Sequence, residues 1–261
     1  MLSHVVCYCI AVTNQKGGVG KTVITANVGA ALAESGRRVL LVDLDPQGHL
    51  TAGLGLREIP VDAEIPTLAG ALMDRKAPAP QPIERTENLW VVPNCMDLFQ
   101  AENLLPAQPG REFRLSRVIP KLGEYDYILI DCPPNLSVLT DNAIVAAKRV
   151  LVPVQPEDSS MRALDLLLGQ LASLRDNLEI EVNVLGFVTN FVDETKVSLR
   201  VLAEIEQLPP PKLGRIRRRT VIREAWGRGM SVLELAPHAP VSHDFRKIAT
   251  ALRIQCEDHR Q

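Results

Sequence analysis

Short, near-continuous runs of Val, Ile and Leu recur along the chain, bounded by turn residues and separated by stretches of helical periodicity. Runs of that kind predict strands covered on both faces. Their alternation with helices predicts an α/β fold, a mostly parallel twisted sheet with helices on both faces. The strands are expected at Cys7 to Thr13, Arg38 to Asp43, Leu89 to Pro93, Tyr127 to Asp131, Val150 to Val154 and Val182 to Asn190. Lys21 to Ser35 is expected as a helix, closed by Gly36. The proline-rich Ala77 to Pro82 suits a connection near the edge of the fold. The apolar stretch Ala143 to Val154 is broken by Lys148 and Arg149, so it does not read as a membrane span. Val5 to Val12 lacks the basic start and small-residue cleavage site of a signal peptide and reads as the first strand.

Composition narrows the class without changing the architecture. With 261 residues, 46% hydrophobic and 23% charged, the chain suits one large soluble domain. It has no internal repeat, and a single domain spanning 1–261 is expected, with an excursion over residues 53 to 88. Five cysteines form an odd set without zinc-finger spacing, which suits free thiols in a reducing, cytoplasmic compartment. Cys7 and Cys9 share one face of a strand and read as core.

The candidate chemistry is phosphate chemistry. Residues 14 to 22 read Asn-Gln-Lys-Gly-Gly-Val-Gly-Lys-Thr, a glycine-rich turn between a strand and a helix. Such a turn aims backbone N–H groups and the helix N-terminus at phosphate oxygens. Gly17, Gly18, Val19 and Gly20 form the turn, Lys21 suits the β and γ phosphates, and the Thr22 hydroxyl suits Mg²⁺. Gln15 stands where the ordinary motif has its first glycine, and a second lysine, Lys16, is added. The next strand ends in Asp43-Leu44-Asp45-Pro46-Gln47-Gly48, and a third ends in Asp131, the pattern of an acid that holds Mg²⁺ through water. One of the first two acids can position the attacking water; for Asp43 a structural role is as consistent as a catalytic one.

In this order the motifs Lys16 to Thr22, Asp43 to Gly48 and Asp131-Cys132-Pro133-Pro134 resemble the ParA family of partition ATPases, within the ParA and MinD group of deviant Walker P-loop ATPases. Val152-Pro153-Val154-Gln155-Pro156 and Leu235 to Pro240 extend the likeness over nearly the whole chain. The resemblance implies ATP and Mg²⁺ as cofactors and a homodimer closed around two nucleotides. In it Lys16 is the signature lysine reaching the partner's nucleotide, Asp45 the switch I aspartate of hydrolysis and Asp131 the switch II acid. Asn190 is placed either against adenine or in a turn. The flanks of Cys95 and Cys132 lack the glycines that surround the cluster cysteines of nitrogenase iron proteins, which share the loop.

Charge adds a partner. The chain's net charge is −2, yet Lys212, Arg215, Arg217, Arg218, Arg219, Arg223 and Arg228 fall within seventeen residues containing one acid, Glu224. That is +6 locally against −8 elsewhere, the footprint of a phosphate-backbone binder, with a solvated helix face as the alternative. The resemblance assigns Arg215, Arg217, Arg218, Arg219 and Arg223 to non-specific double-stranded DNA and implies a ParB-like stimulating protein and a nucleoid-associated location. Ile216-Arg217-Arg218 departs from the family's Ile-Pro-Arg, and Val221 stands where relatives carry arginine. The glycine motif begins within the first twenty residues, so no N-terminal helix-turn-helix domain is expected. The alternatives are a MinD-like membrane-cycling regulator and a positioning ATPase for a protein cargo. Against the first, Leu252, Ile254 and Cys256 do not read as a helical stripe, so no membrane partner is expected.

Overall fold

The computed structural model describes residues 7–61 and 64–258. Among them, eight strands form one sheet in the order β3-β4-β2-β5-β1-β6-β7-β8. The strands are β1 (Tyr8–Val12), β2 (Val39–Asp43), β3 (Ile83–Thr86), β4 (Leu89–Val92), β5 (Tyr127–Asp131), β6 (Arg149–Val154), β7 (Asn183–Val192) and β8 (Lys212–Arg217). All neighbours are parallel except the β3–β4 pair at one edge.

The helices are α1 (Lys21–Glu34), α2 (His49–Gly53), α3 (Leu68–Met73), α4 (Leu98–Leu104), α5 (Arg114–Val118), α6 (Val138–Ala147), α7 (Ser159–Leu178), α8 (Lys196–Glu206), α9 (Thr220–Gly227), α10 (Val232–Leu235) and α11 (Pro240–Asp258). They cover both faces of the sheet. Leu40 and Val42 of β2, with Ile128 and Ile130 of β5, pack toward the side carrying α3 to α8. Val39, Leu41, Tyr127 and Leu129 point the other way, toward α1, α9, α10 and α11. Alternate side chains of the central strands therefore serve two cores, which is why these strands read as unbroken apolar runs.

The six strands expected from hydrophobic runs are present to within two or three residues at either end, and α1 begins at the expected Lys21. The Val5 and Val6 portion of the first run lies outside the described residues. Two strands are additions. β3, within the expected excursion, is largely exposed and polar, and Arg85 ties it back to the body. Its Nε donates to Leu54 O at 2.6 Å and its Nη2 to Gly229 O at 2.7 Å. β8 corrects the helix-face alternative for the basic stretch: Lys212–Arg217 is an edge strand, and only from Thr220 onward is the stretch a helix.

The C-terminal segment is a second correction. Leu252 and Cys256 belong to a helical stripe that starts at Val241 and includes Phe245, Ile248 and Ala249, all buried against α1 and β8. The stripe is spent on the body of the protein, with Ile254 left outward. Residues 259–261 lie outside the described part. Among the described residues, no helix is long and apolar enough to cross a membrane.

Candidate nucleotide site

β1, β2 and β5 lie side by side, and their carboxyl ends carry the three motifs. This is where a doubly wound sheet presents its ligand crevice. The parallel register sets Val12 beside Asp131 and Asp43 beside Asp131. Three acids, Asp43, Asp45 and Asp131, consequently cluster next to the glycine turn.

The turn uses backbone conformations that glycine supplies. Gly18 and Gly20 have φ of 76° and 86°, and Gly20 caps α1, whose N-terminus opens onto the loop. Two asparagines staple the loop from opposite sides. Asn14 Nδ2 donates to Pro153 O at 2.7 Å, at the end of β6, and Asn190 Nδ2 donates to Val19 O at 2.9 Å. Asn190 is fully buried, and Phe191 N donates to its Oδ1, so its side chain supports the loop and presents no free face to a base.

The two lysines divide. Lys21 turns inward, only 6% exposed, and donates to Asn14 O at 3.0 Å and Lys16 O at 3.3 Å. Burial lowers its pKa, and Asp131, Cys132 and Asp45 pull it back. The Lys16 side chain, 18% exposed, extends to Glu157, two residues before α7, where its Nζ meets Oε2 at 2.5 Å.

Asp131 is completely buried and holds Thr25 Oγ1 at 3.1 Å through Oδ1, while Oδ2 has no partner. Burial, followed by repulsion from Asp43, pushes its pKa well above the usual carboxylate range, against the opposing pull of Thr22 and Lys21. A buried carboxylate oxygen without a donor, beside a threonine hydroxyl and two further acids, fits a divalent cation and its waters. Asp45, 5% exposed, accepts from Gln47 N at 3.0 Å, and its pKa is raised mainly by burial.

Asp43 is fully buried, and its Oδ2 accepts from Thr51 N at 2.8 Å and Thr51 Oγ1 at 2.6 Å. Burial raises its pKa to about 7, outweighing those bonds. Between pH 4 and 7 the folded chain thus keeps a proton that the unfolded chain has released, so stability falls as pH rises through that window. Asp43→Asn is expected to flatten the stability–pH curve of the nucleotide-free protein between pH 5 and 8, by about 2–4 kcal/mol. Urea unfolding across that range measures it, and slopes equal to those of the unsubstituted chain would contradict the assignment.

Beside Gly18 opens a hollow of about 360 Å³ lined by Val23, Gln155, Phe191, Arg218, Arg219, Ile222, Arg223 and Trp226. The Arg218 guanidinium sits 5.4 Å from the Phe191 ring centroid, and Trp226 packs so closely on α2 that a Cβ at Gly53 would lie 1.9 Å from its ring. Apolar and aromatic walls next to a phosphate loop suit a nucleobase. The five arginines expected to bind DNA are accordingly split. Arg218, Arg219 and Arg223 line this hollow, whereas Arg215 and Arg217 lie along β8, facing Glu206 at 2.7 Å and Glu194 at 4.0 Å. Asn14, Thr25, Glu157, Phe191 and Trp226 join the site without having been singled out as site residues; Asn14 and Glu157 stand in or beside motifs that flagged their neighbours. Cys95 and Cys132 are buried apart from these roles; Cys95 Sγ accepts from Ala69 N at 3.4 Å.

Residues 7–184 match the protein family described as an AAA domain. The sporulation initiation inhibitor protein Soj of Bacillus subtilis is 37% identical over 236 residues, covering 88% of this chain and 92% of that protein. The chain belongs to the ParA family of ATPases. ParA of Myxococcus xanthus, a chromosome partitioning protein, is 40% identical over 200 residues, 75% of this chain and 69% of that one. An uncharacterized protein of Mycobacterium tuberculosis is 41% identical over 207 residues; the match takes in 78% of this chain but only 64% of that protein's length. Among solved structures, cobyrinic acid a,c-diamide synthase of Mycobacterium smegmatis with a bound ATP analogue and magnesium superposes with a TM-score of 0.79 at 33% identity, covering 98% of each chain. The ParA-family fold, a mostly parallel sheet with helices on both faces, is thus shared with nucleotide-binding relatives.

Proposed function

We propose that this ParA-family chain is an ATP-dependent DNA-partition ATPase. In this reading it binds ATP and Mg²⁺ at the glycine turn and closes as a homodimer around two nucleotides. The dimer holds non-specific double-stranded DNA and hydrolyses ATP when a ParB-like protein stimulates it. The observation that carries the reading is the division of the lysines: the Lys21 side chain serves its own loop, while the Lys16 side chain leaves the loop to meet Glu157.

Gly17, Gly18, Val19 and Gly20 offer N–H groups to the phosphates, and Lys21 exchanges two carbonyl partners for phosphate oxygens. Thr22 and Asp131 would hold Mg²⁺, whose charge offsets that of the β and γ phosphates. Asp45, at the mouth of the acid cluster, orients the attacking water. Lys16 supplies positive charge to the partner's γ phosphate as charge develops during transfer.

The arginines on β8 support DNA contact and those around the hollow support nucleotide contact, so the two roles are separable by substitution. Arg215→Ala with Arg217→Ala is expected to weaken the ATP-dependent shift of random duplex DNA about tenfold at low salt and to lower the salt slope by about one per lost phosphate contact. Nucleotide affinity should stay within about twofold. Arg218→Ala with Arg219→Ala should reduce both. Undiminished DNA binding in both paired variants, or no shift by the unsubstituted protein, would refute the DNA-partition reading.

A further inference from the structure

The turn that carries Asp45 makes its own hydrogen bonds mostly within itself: Gln47 N to Asp45 Oδ1 at 3.0 Å and Gly48 N to Asp45 O at 2.9 Å. Those bonds shape the turn but do not fix where it stands above the sheet. Leu44 N donates to Asp131 O at 3.1 Å on one side. On the other side the tether is a residue from a different strand end, Asn94, two positions beyond β4.

Asn94 is fully buried and joins three segments. Its Nδ2 donates to Pro46 O at 3.2 Å, in the turn itself. Its N–H donates at 2.7 Å to Thr51 Oγ1, which in turn donates to Asp43 Oδ2 at 2.6 Å. Its carbonyl accepts from Ile59 N at 3.0 Å. Gly48 is pressed against the same amide, since a Cβ there would lie 2.6 Å from Asn94 Nδ2. The chain Asp43–Thr51–Asn94–Pro46 therefore brackets Asp45 from both ends, and it lies in the interior, where a donor deprived of its acceptor costs far more than at the surface.

We infer that Asn94 and Thr51 are positioning residues for hydrolysis, acting through the turn that aims Asp45 at the attacking water. Among the described residues neither side chain shares a hydrogen bond with the nucleotide loop, so the chain sets the rate of the chemical step and not the affinity for nucleotide. A displacement of about 1 Å at an aligned group costs up to a hundredfold in rate. The inference rests on the hydrolytic reading of Asp45 given above.

The test is steady-state ATP hydrolysis with Mg²⁺ and duplex DNA, alongside ADP binding by titration calorimetry. Thr51→Val keeps the shape, removes the hydroxyl, and leaves Asn94 N–H without an acceptor. Thr51→Val and Asn94→Ala are each expected to lower kcat about 10- to 100-fold, with KM for ATP and Kd for ADP within about threefold. Thr51→Ser retains the hydroxyl and should recover kcat to within about twofold. Wild-type kcat in Asn94→Ala, or Thr51→Ser as slow as Thr51→Val, overturns the inference. So does a fall in ADP affinity that matches the fall in rate. Should Asn94→Ala not fold, the valine and serine pair decides alone. A complete lack of phosphate release by the unsubstituted protein counts instead against the partition-ATPase reading, which separates the two failures.

Discussion

Lys16→Ala is expected to leave nucleotide binding by a single chain within about threefold, to remove the ATP-dependent dimer, and to reduce stimulated hydrolysis by at least about a hundredfold. The size follows from the job proposed for it: a cation delivered in trans to a transferring phosphoryl group is worth 10³ or more in comparable ATP- and GTP-hydrolysing sites, and one hydrogen-bond donor to a developing oxyanion about 10²–10³. What makes the lysine available is the weakness of its present tie. The Lys16 side chain is 18% exposed and that of Glu157 46%, and ion pairs open to solvent on one side contribute little, on the order of 1 kcal/mol. Charge-assisted bonds to a partner's phosphates exceed that, so in the proposed dimer Lys16 would exchange Glu157 for nucleotide. Light scattering with a non-hydrolysable ATP analogue reports the dimer and a phosphate-release assay the chemistry. Normal turnover by Lys16→Ala would remove the basis for a shared active site.

Gly20→Ala should be more damaging to nucleotide binding than substitution of either lysine. The residue has φ of 86°, a region that L side chains rarely occupy, and a Cβ there would stand 2.0 Å from Asn190 Nδ2. Asn190 has no room to yield. It is buried, and moving it breaks the bond to Val19 O and strands a buried amide donor. Strain, collision and the lost bond together predict a stability loss of about 2–4 kcal/mol and an ATP affinity reduced more than a hundredfold, because the turn can no longer present its N–H groups. Thermal unfolding and calorimetric titration with ATP check the two parts. A variant that unfolds like the unsubstituted chain and binds ATP equally well would show that the loop does not depend on this contact.

Most of the architecture was legible because the central strands are buried on both faces. β2 and β5 present apolar residues to two cores at once, and an unbroken run such as Tyr127 to Asp131 is unambiguous in a chain with alternating helices. The edges were not legible, for opposite reasons. β3 is too short and polar to stand out, with Glu84 and Arg85 among four residues. β8 buries Leu213 and Ile216, three positions apart and not two, because its pairing with β7 slips at a bulge; that spacing imitates a helix. The stripe of α11 was missed by starting at Leu252, after most of its buried positions had passed.

At the site, the residues of the loop and the two strand-end acids were readable as motifs, since each has a role set by its own segment. Asn94, Thr51 and Glu157 were not. Their significance comes from which distant backbone or side chain they meet, over sequence separations of 43 residues for Asn94 and Thr51 and 141 for Glu157 and Lys16, and no local pattern encodes such meetings. The arginines fall between these cases. Their clustering was visible, but whether a given one faces the base hollow or open solvent depends on the change from β8 to α9 between Arg217 and Thr220.

The packing of Trp226 has a practical side. The chain has two tryptophans, and the other, Trp90, lies on β4 beside Tyr125 and Arg38, remote in the sheet from β1 and the glycine turn. Trp226 forms a wall of the base hollow and leans on Gly53 of α2, the helix that follows the Asp45 turn. One indole therefore borders both the hollow proposed for the nucleobase and the element attached to the turn that carries Asp45. With Trp90 replaced by phenylalanine, the protein would carry its own single-emitter fluorophore, so that filling of the pocket and movement of the turn could be followed in real time without any attached dye.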